Sequence, residues 1–424
     1  MTTLTAPIRV SVPVSRRYLA VGSFILLGLI DLIMLGLSAH SGDAVFALSL
    51  PGASPHLPAI RVPGAVACYV LGAISIALGI ARAVLEPPRW AKRTMIAVVL
   101  ICFLLSLLAW ADAGNSVGPV QVVDLLQGTL AASIPLVLGA LSGCMCERSG
   151  VINIAIEGQF LFGAFTAAAV ASVAGSVWLG LIGGSLAGGL LGAVLAAFAI
   201  AFLVDQIILG VVLNVLALGL TGYLYDRMMV PYASTFNAGN TFSTVKIPGL
   251  GNLPIIGPVF FDANVFLYIT YVLVIVIQIG LFSTRWGLRV RAVGEHPVAA
   301  DTVGIRVLWT RYRNVMLGGL AAGIGGAYLT VGSVGFFNKD ISSGLGYIAL
   351  AAMIFGRWTP LGSVAAALLF GFSTQLATEL SILRVPVSSF ILLMAPYVAT
   401  IIAVAGLVGR VRPPAADGKP YLKA

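Results

Sequence analysis

Long apolar runs separated by short polar breaks set the pattern of this chain. Runs close to the 17 to 25 residues or so that a helix needs to cross a bilayer lie at 18–37, 64–85, 94–111, 122–143, 154–173, 177–204, 207–224, 263–282, 314–331, 361–378 and 388–407. A shorter run at 345–356 crosses only if it is buried in protein or continues as irregular backbone, or it forms half of a re-entrant hairpin with its successor. The pattern predicts an all-α, polytopic transmembrane helical bundle of about 10–12 spans. Three divisions follow: residues 1–115 as an N-terminal tail with additional spans, 116–410 as the core, and 411–424 as a second tail.

The polar intervals differ in kind. Residues 285–313 carry six arginines (Arg285, Arg289, Arg291, Arg306, Arg311, Arg313) against Glu295 and Asp301, so the positive-inside tendency keeps this loop cytoplasmic. Within it, Gly294-Glu295-His296-Pro297 breaks the chain, 298–303 has fair helical propensity, and Gly304 stops it, which predicts a short helix under the membrane. The interval 225–262 is rich in Gly, Pro, Asn and Thr, and Pro231, Pro248, Pro254 and Pro258 prevent a continuous helix. An ordered cap on the opposite side is expected there. Strict alternation with both termini inside places only Arg61, Arg227, Lys246, Lys339 and Arg384, five of the 24 cations, outside.

Composition agrees with the spans. Hydrophobic residues make up 59% of the 424 and charged residues 9%, with mean hydropathy +1.04, too little polar surface for a soluble globule. The net charge of +9 reflects cytoplasmic loops rather than nucleic-acid binding. Cys68, Cys102, Cys144 and Cys146 fall in or beside apolar runs and read as packing residues, and Cys144-x-Cys146 lacks a second ligand pair for a metal. The first apolar run is not followed by a clear small-residue cleavage pattern, so no cleaved signal peptide is expected. The only Gly-Lys pair, Gly418-Lys419, precedes Pro420, so no phosphate-binding loop for ATP is present. His40, His56 and His296 form no catalytic or metal constellation, and a Gly-x-Ser-x-Gly elbow is missing. No catalytic residue is therefore assigned.

Polar residues at bilayer depth are costly and face a bundle interior or a wet path. Between two apolar runs lies Cys146-Glu147-Arg148-Ser149-Gly150-Val151-Ile152-Asn153-Ile154-Ala155-Ile156-Glu157-Gly158. Glu147 and Arg148 read as a structural ion pair, whereas Asn153 and Glu157, four apart on one helix face, line a pathway or brace helices. In Asp205-Gln206-Ile207-Ile208-Leu209-Gly210 with Asn214, positions 206, 210 and 214 share a face, and Asn214 bonds either a neighbouring helix or a passing ligand. Asp31 has no partner legible in the sequence. Glycines at 183, 184, 188, 189 and 192, and at 318, 319, 323, 325 and 326, read as close helix packing. The pattern Ile154-Ala155-Ile156 with Phe162-Gly163 and Leu179-Gly180 is echoed by Ile348-Ala349-Leu350, Phe355-Gly356 and Leu361-Gly362, a hint of duplicated halves.

These phrases carry a resemblance. Gly294-Glu295-x-Pro297-x-Ala299-Ala300-x-x-x-Gly304-Ile305 resembles the coupling segment of permeases of ABC importers of the ribose, branched-chain amino acid and nucleoside type. The phrase from Glu147 to Gly158 closely resembles the nucleoside branch, as does Gln206-Ile207-Ile208-x-Gly210-x-x-x-Asn214, with Asp205 replacing an Asn. His296 likewise stands in place of an Asn. The resemblance covers roughly 124–407. It implies the architecture of permeases related to the cobalamin type, in the cell (inner) membrane, and a nucleoside substrate. It also implies coupling through Gly294, Glu295, Pro297, Ala299, Ala300, Asp301 and Gly304, and a pathway past Asn153, Glu157, Gln206 and Asn214. The implied partners are an ATPase subunit that binds ATP and Mg, a second permease, identical or homologous, and an extracytoplasmic substrate-binding lipoprotein. This chain itself would hold no cofactor. Ribose-like sugars or branched-chain amino acids are the alternative substrates. An ion-coupled secondary transporter is the alternative mechanism, and Asp31, Asp124 and Glu157 would be its candidate carboxylates.

Overall fold

The computed structural model describes residues 16–50, 56–85, 87–115, 117–385, 391, 394 and 412–422. Among the described residues, ten helices are long and apolar enough to cross a membrane, and Leu345–Phe355 forms a shorter apolar helix. The expected run at 388–407 lies outside the described residues except for Ile391 and Met394. The chain divides into two compact units, Met1–Val123 with Thr378–Val387 and Asp124–Ala377 with Ser388–Ala424.

The first unit is built on α1 (Arg16–Leu29), α2 (Gly64–Val84) and α3 (Arg89–Asp112). α1 continues as a π-helical stretch, Ile30–Gly36, that carries Asp31. Strands β1 (Asp43–Ala47) and β2 (Ile60–Pro63) pair antiparallel, with Asp43 opposite Pro63, and β3 (Val120–Gln121) joins β1 in parallel. Asp112, at the end of α3, ties the sheet to that helix by accepting the Val45 N–H at 2.6 Å.

The second unit contains α4 (Val122–Glu147), α5 (Ile156–Ala174), α6 (Val177–Ala196) and α7 (Gln206–Leu224), the last two prolonged by π turns to Ala201 and Met229. The interval expected as an ordered cap holds α8 (Ala233–Phe236), β4 (Thr244–Lys246), α9 (Ile256–Phe261) and β5 (Asp262–Asn264), with β4 and β5 antiparallel. Asn237 fixes it by accepting from the Phe337 N–H at 2.7 Å and donating to the Phe337 carbonyl at 3.0 Å. There follow α10 (Val265–Ser283), α11 (Arg285–Glu295), α12 (Pro297–Thr302), α13 (Val307–Leu329, prolonged to Val334), α14 (Leu345–Phe355) and α15 (Pro360–Ile382).

The centre of this unit is the packing of α13 against α5 and α6. The glycines read as packing residues bring backbones into contact: a Cβ on Gly188 would stand 2.5 Å from the Gly319 carbonyl oxygen, and one on Gly326 would stand 2.2 Å from that of Phe160. No side chain fits at such distances. Close approach gives dispersion where lipid offers no hydrophobic drive, and it lets polar groups bond across helices. Ser185 thus donates to the Leu320 carbonyl at 3.2 Å and Thr330 to that of Ala164 at 3.1 Å. A separate apolar core joins Leu136 and Leu141 of α4 to Ala352, Met353 and Phe370 of α14 and α15. At 11 residues α14 is about 16 Å long, half a hydrocarbon layer.

Candidate functional site

Two polar regions stand out in the second unit. The first lies where α4 gives way to irregular backbone before α5. Gly150, at φ +87°, supports a turn that L side chains resist. Past it the exposed backbone groups are met by side chains from α7. Gln206 accepts from the Ile152 N–H at 2.8 Å, while Asn214 accepts from the Gly158 N–H at 2.8 Å and donates to the Ile154 carbonyl at 2.9 Å and to the Tyr347 hydroxyl at 3.1 Å. Asn153, fully buried, donates to Ser142 Oγ at 3.1 Å and Gln159 Oε1 at 3.1 Å.

Glu157 has the most specific setting. Its Oε1 accepts from the Ser342 hydroxyl at 2.5 Å and the Gly344 N–H at 2.8 Å, and its Oε2 accepts from the Gly346 N–H at 2.6 Å. The carboxylate therefore caps the N-terminus of α14, where orphan amides and the helix dipole both favour negative charge. Gly344 takes φ +84° just before that helix. The structure thus brings the four residues singled out in the sequence into neighbouring contacts on α5, α7 and the α4–α5 segment. In this conformation each is buried and hydrogen-bonded within the protein. Gln159, Ser342 and Tyr347 complete the cluster. Gln159 and Tyr347 were legible only as polar interruptions of apolar runs, and Ser342 carried no signal.

The expected ion pair between Glu147 and Arg148 does not form between these described side chains. Glu147 accepts from the Trp358 indole N–H at 2.5 Å. Arg148 donates through Nε to the Trp358 carbonyl at 2.8 Å and through Nη2 to the Arg357 carbonyl at 3.2 Å, and lies over the Phe282 ring. Trp358 takes the role the sequence reading gave to a charge: its indole and its carbonyl meet the two neighbours separately. Adjacent residues leaving a helix end diverge, which is the physical reason they do not pair.

The second region is the basic loop. It contains two helices, and the short one falls one residue ahead of expectation, at Pro297–Thr302. His296 Nδ1 accepts from the Ala299 N–H at 3.1 Å, so it caps α12 as an Asn would. Gly304 closes the helix at φ +83°. Gly294 is buried against the Arg148 carbonyl oxygen, 2.2 Å from where its Cβ would be, and Glu295 accepts from the Ala415 N–H at 3.2 Å. Ala300 is buried among Val293, Val307 and Tyr421, so its small size is accounted for within the chain. Asp301 and Pro297 are partly buried, and Val298, Ala299, Thr302 and Val303 form the exposed face of α12. Arg311, counted with the loop cations, is in fact buried on α13, where Nη1 donates to the Lys419 carbonyl at 2.9 Å. Among the described residues no cluster of His, Cys, Asp and Glu could hold a metal ion.

Helices of lipid length, interrupted by a half-length helix with a buried cap and by a pair of short helices between two spans, describe a polytopic membrane protein. The chain matches the family described as branched-chain amino acid transport system / permease component over residues 125–405, and it belongs to that family. It is 42% identical over 318 residues to the guanosine ABC transporter permease protein NupQ of Bacillus subtilis, covering 72% of this chain and 98% of the relative. It is 37% identical over 321 residues to the nucleoside ABC transporter permease protein NupC of Lactococcus lactis, covering 73% and 99%. The glucose ABC transporter permease protein TsgB13 of Haloferax volcanii is 28% identical over 267 residues, covering 58% and 67%. No solved structure matches the chain.

Proposed function

We propose that the chain is the membrane permease subunit of an ATP-driven importer of nucleosides, handing substrate from an extracytoplasmic binding protein to the cytoplasm. The observation that carries this reading is the identity of 42% and 37% to a guanosine and a nucleoside permease along nearly their whole lengths. A partner ATPase holds ATP and Mg and engages the exposed face of α12, a second permease completes the pathway, and both termini are cytoplasmic, in keeping with the arginines of 285–313. The cap at 225–262 receives the binding protein.

Asn153, Glu157, Gln206 and Asn214 line or gate the pathway. Nucleosides offer hydroxyls and ring nitrogens without net charge, which amides can meet by weak, releasable contacts. Since all four are now engaged inside the protein, the gate role requires their network to open during turnover. An ion-coupled carrier is less well supported, because Glu157 is already satisfied by three donors.

The test is uptake of labelled guanosine, with glucose as competitor, by cells carrying this chain with its ATPase and binding protein. Saturable guanosine uptake that ignores glucose is expected; glucose uptake alone would overturn the substrate assignment. Single cysteines at 153, 157 and 214 should react with a water-soluble thiol reagent only while the ATPase turns over. Inertness of all three in transport-competent protein would make them bracing groups only. Deleting 297–302 should abolish uptake while the spans still insert.

A further inference from the structure

The tail at 412–422 makes contacts that the proposed function does not use. It runs along the coupling helices. The Ala416 N–H donates to the Gly294 carbonyl at 2.9 Å, and the Ala415 N–H to Glu295 at 3.2 Å, fixing the end of α11. Tyr421 packs with Val293, Ala300 and Val307. Arg311 reaches from α13 to the Lys419 carbonyl at 2.9 Å. Gly418 takes φ +71° where the tail passes Ile152.

We propose that residues 412–422 are a positioning strap for the coupling helices α11 and α12. The occupant of this seam is thus the chain's own tail, and the strap sets the position from which α12 meets its partner.

The four native cysteines are buried, so labelling of an added cysteine is read against a quiet background. Ala416→Cys, at a buried site, should react at least tenfold more slowly than the exposed Leu422→Cys, and adding Tyr421→Ala should raise the rate at 416 at least threefold. Equal rates at the two sites, or a rate at 416 unmoved by Tyr421→Ala, overturns the strap. These readouts need no substrate, so they stand or fall separately from the transport assignment on which the positioning role rests. For that role, Tyr421→Ala should lower ATP-coupled uptake at least fivefold at equal membrane abundance, with Tyr421→Phe restoring it to within twofold. Normal uptake by Tyr421→Ala overturns the positioning.

Discussion

Two carboxylates buried at bilayer depth, Glu157 in α5 and Asp31 beside α1, have opposite surroundings. Glu157 is met by one hydroxyl and two amides at the head of α14. Asp31, fully buried, lies near the Ser106 hydroxyl without reaching hydrogen-bond geometry, and neither of its oxygens has a hydrogen-bond partner among the described residues. The family match begins at residue 125, so the satisfied carboxylate belongs to the shared core and the unsatisfied one precedes it. A charge in a membrane protein is therefore informative through what surrounds it. One that organises a helix end is part of the architecture, and one without partners contributes little that a neutral isostere would lose.

Substitutions can break that contrast. Glu157→Ala should have the largest effect, leaving three buried donors without an acceptor at a cost of about 4 kcal/mol. It should appear as a drop of many degrees in the thermal melt of purified protein, with Glu157→Gln recovering about half. Asn214→Leu, which strands the Gly158 N–H, the Ile154 carbonyl and the Tyr347 hydroxyl, should cost about 3 kcal/mol by the same measurement. Gly326→Ala forces a methyl group onto the Phe160 carbonyl and should cost about 2 kcal/mol, with slower assembly of the spans. Asp31→Asn should shift the melt by less than about 1 kcal/mol, and upward if at all. A melt for Asp31→Asn as damaged as that of Glu157→Ala would show that Asp31 has a partner the contrast denies it.

The spans were legible because a helix in lipid is announced by length and apolarity alone: the expected run at 177–204 became Val177–Ala201, and 64–85 became Gly64–Val84. The end of α7 was missed. Tyr225, Asp226 and Arg227 looked like a break, yet a π turn carries the helix to Met229, because at a membrane surface polar side chains are solvated while the backbone stays helical. α11 was missed as well. Its arginines masked an apolar edge of Gly287, Val290, Val293 and Gly294, all buried, and that three-and-four spacing was the available signal. Within the site, Asn153, Glu157, Gln206 and Asn214 could be found because they are polar residues in apolar runs. Their partners could not, since five of the bonds end on backbone groups, at Ile152, Ile154, Gly158, Gly344 and Gly346, and a backbone group has no signature in a sequence. The Glu147–Arg148 pair was misread for a related reason: adjacency along the chain said nothing of Trp358.

The carbonyl-to-glycine contacts among α5, α6 and α13 also restrict how the molecule can move. Helices whose backbones touch have no side-chain layer to shear, so a slide of even a fraction of one residue's rise drives a carbonyl into the next residue's Cβ. Such a slab can tilt as a body but cannot slip internally. A change of conformation in this unit therefore carries α5, α6 and α13 together rather than sliding them past one another.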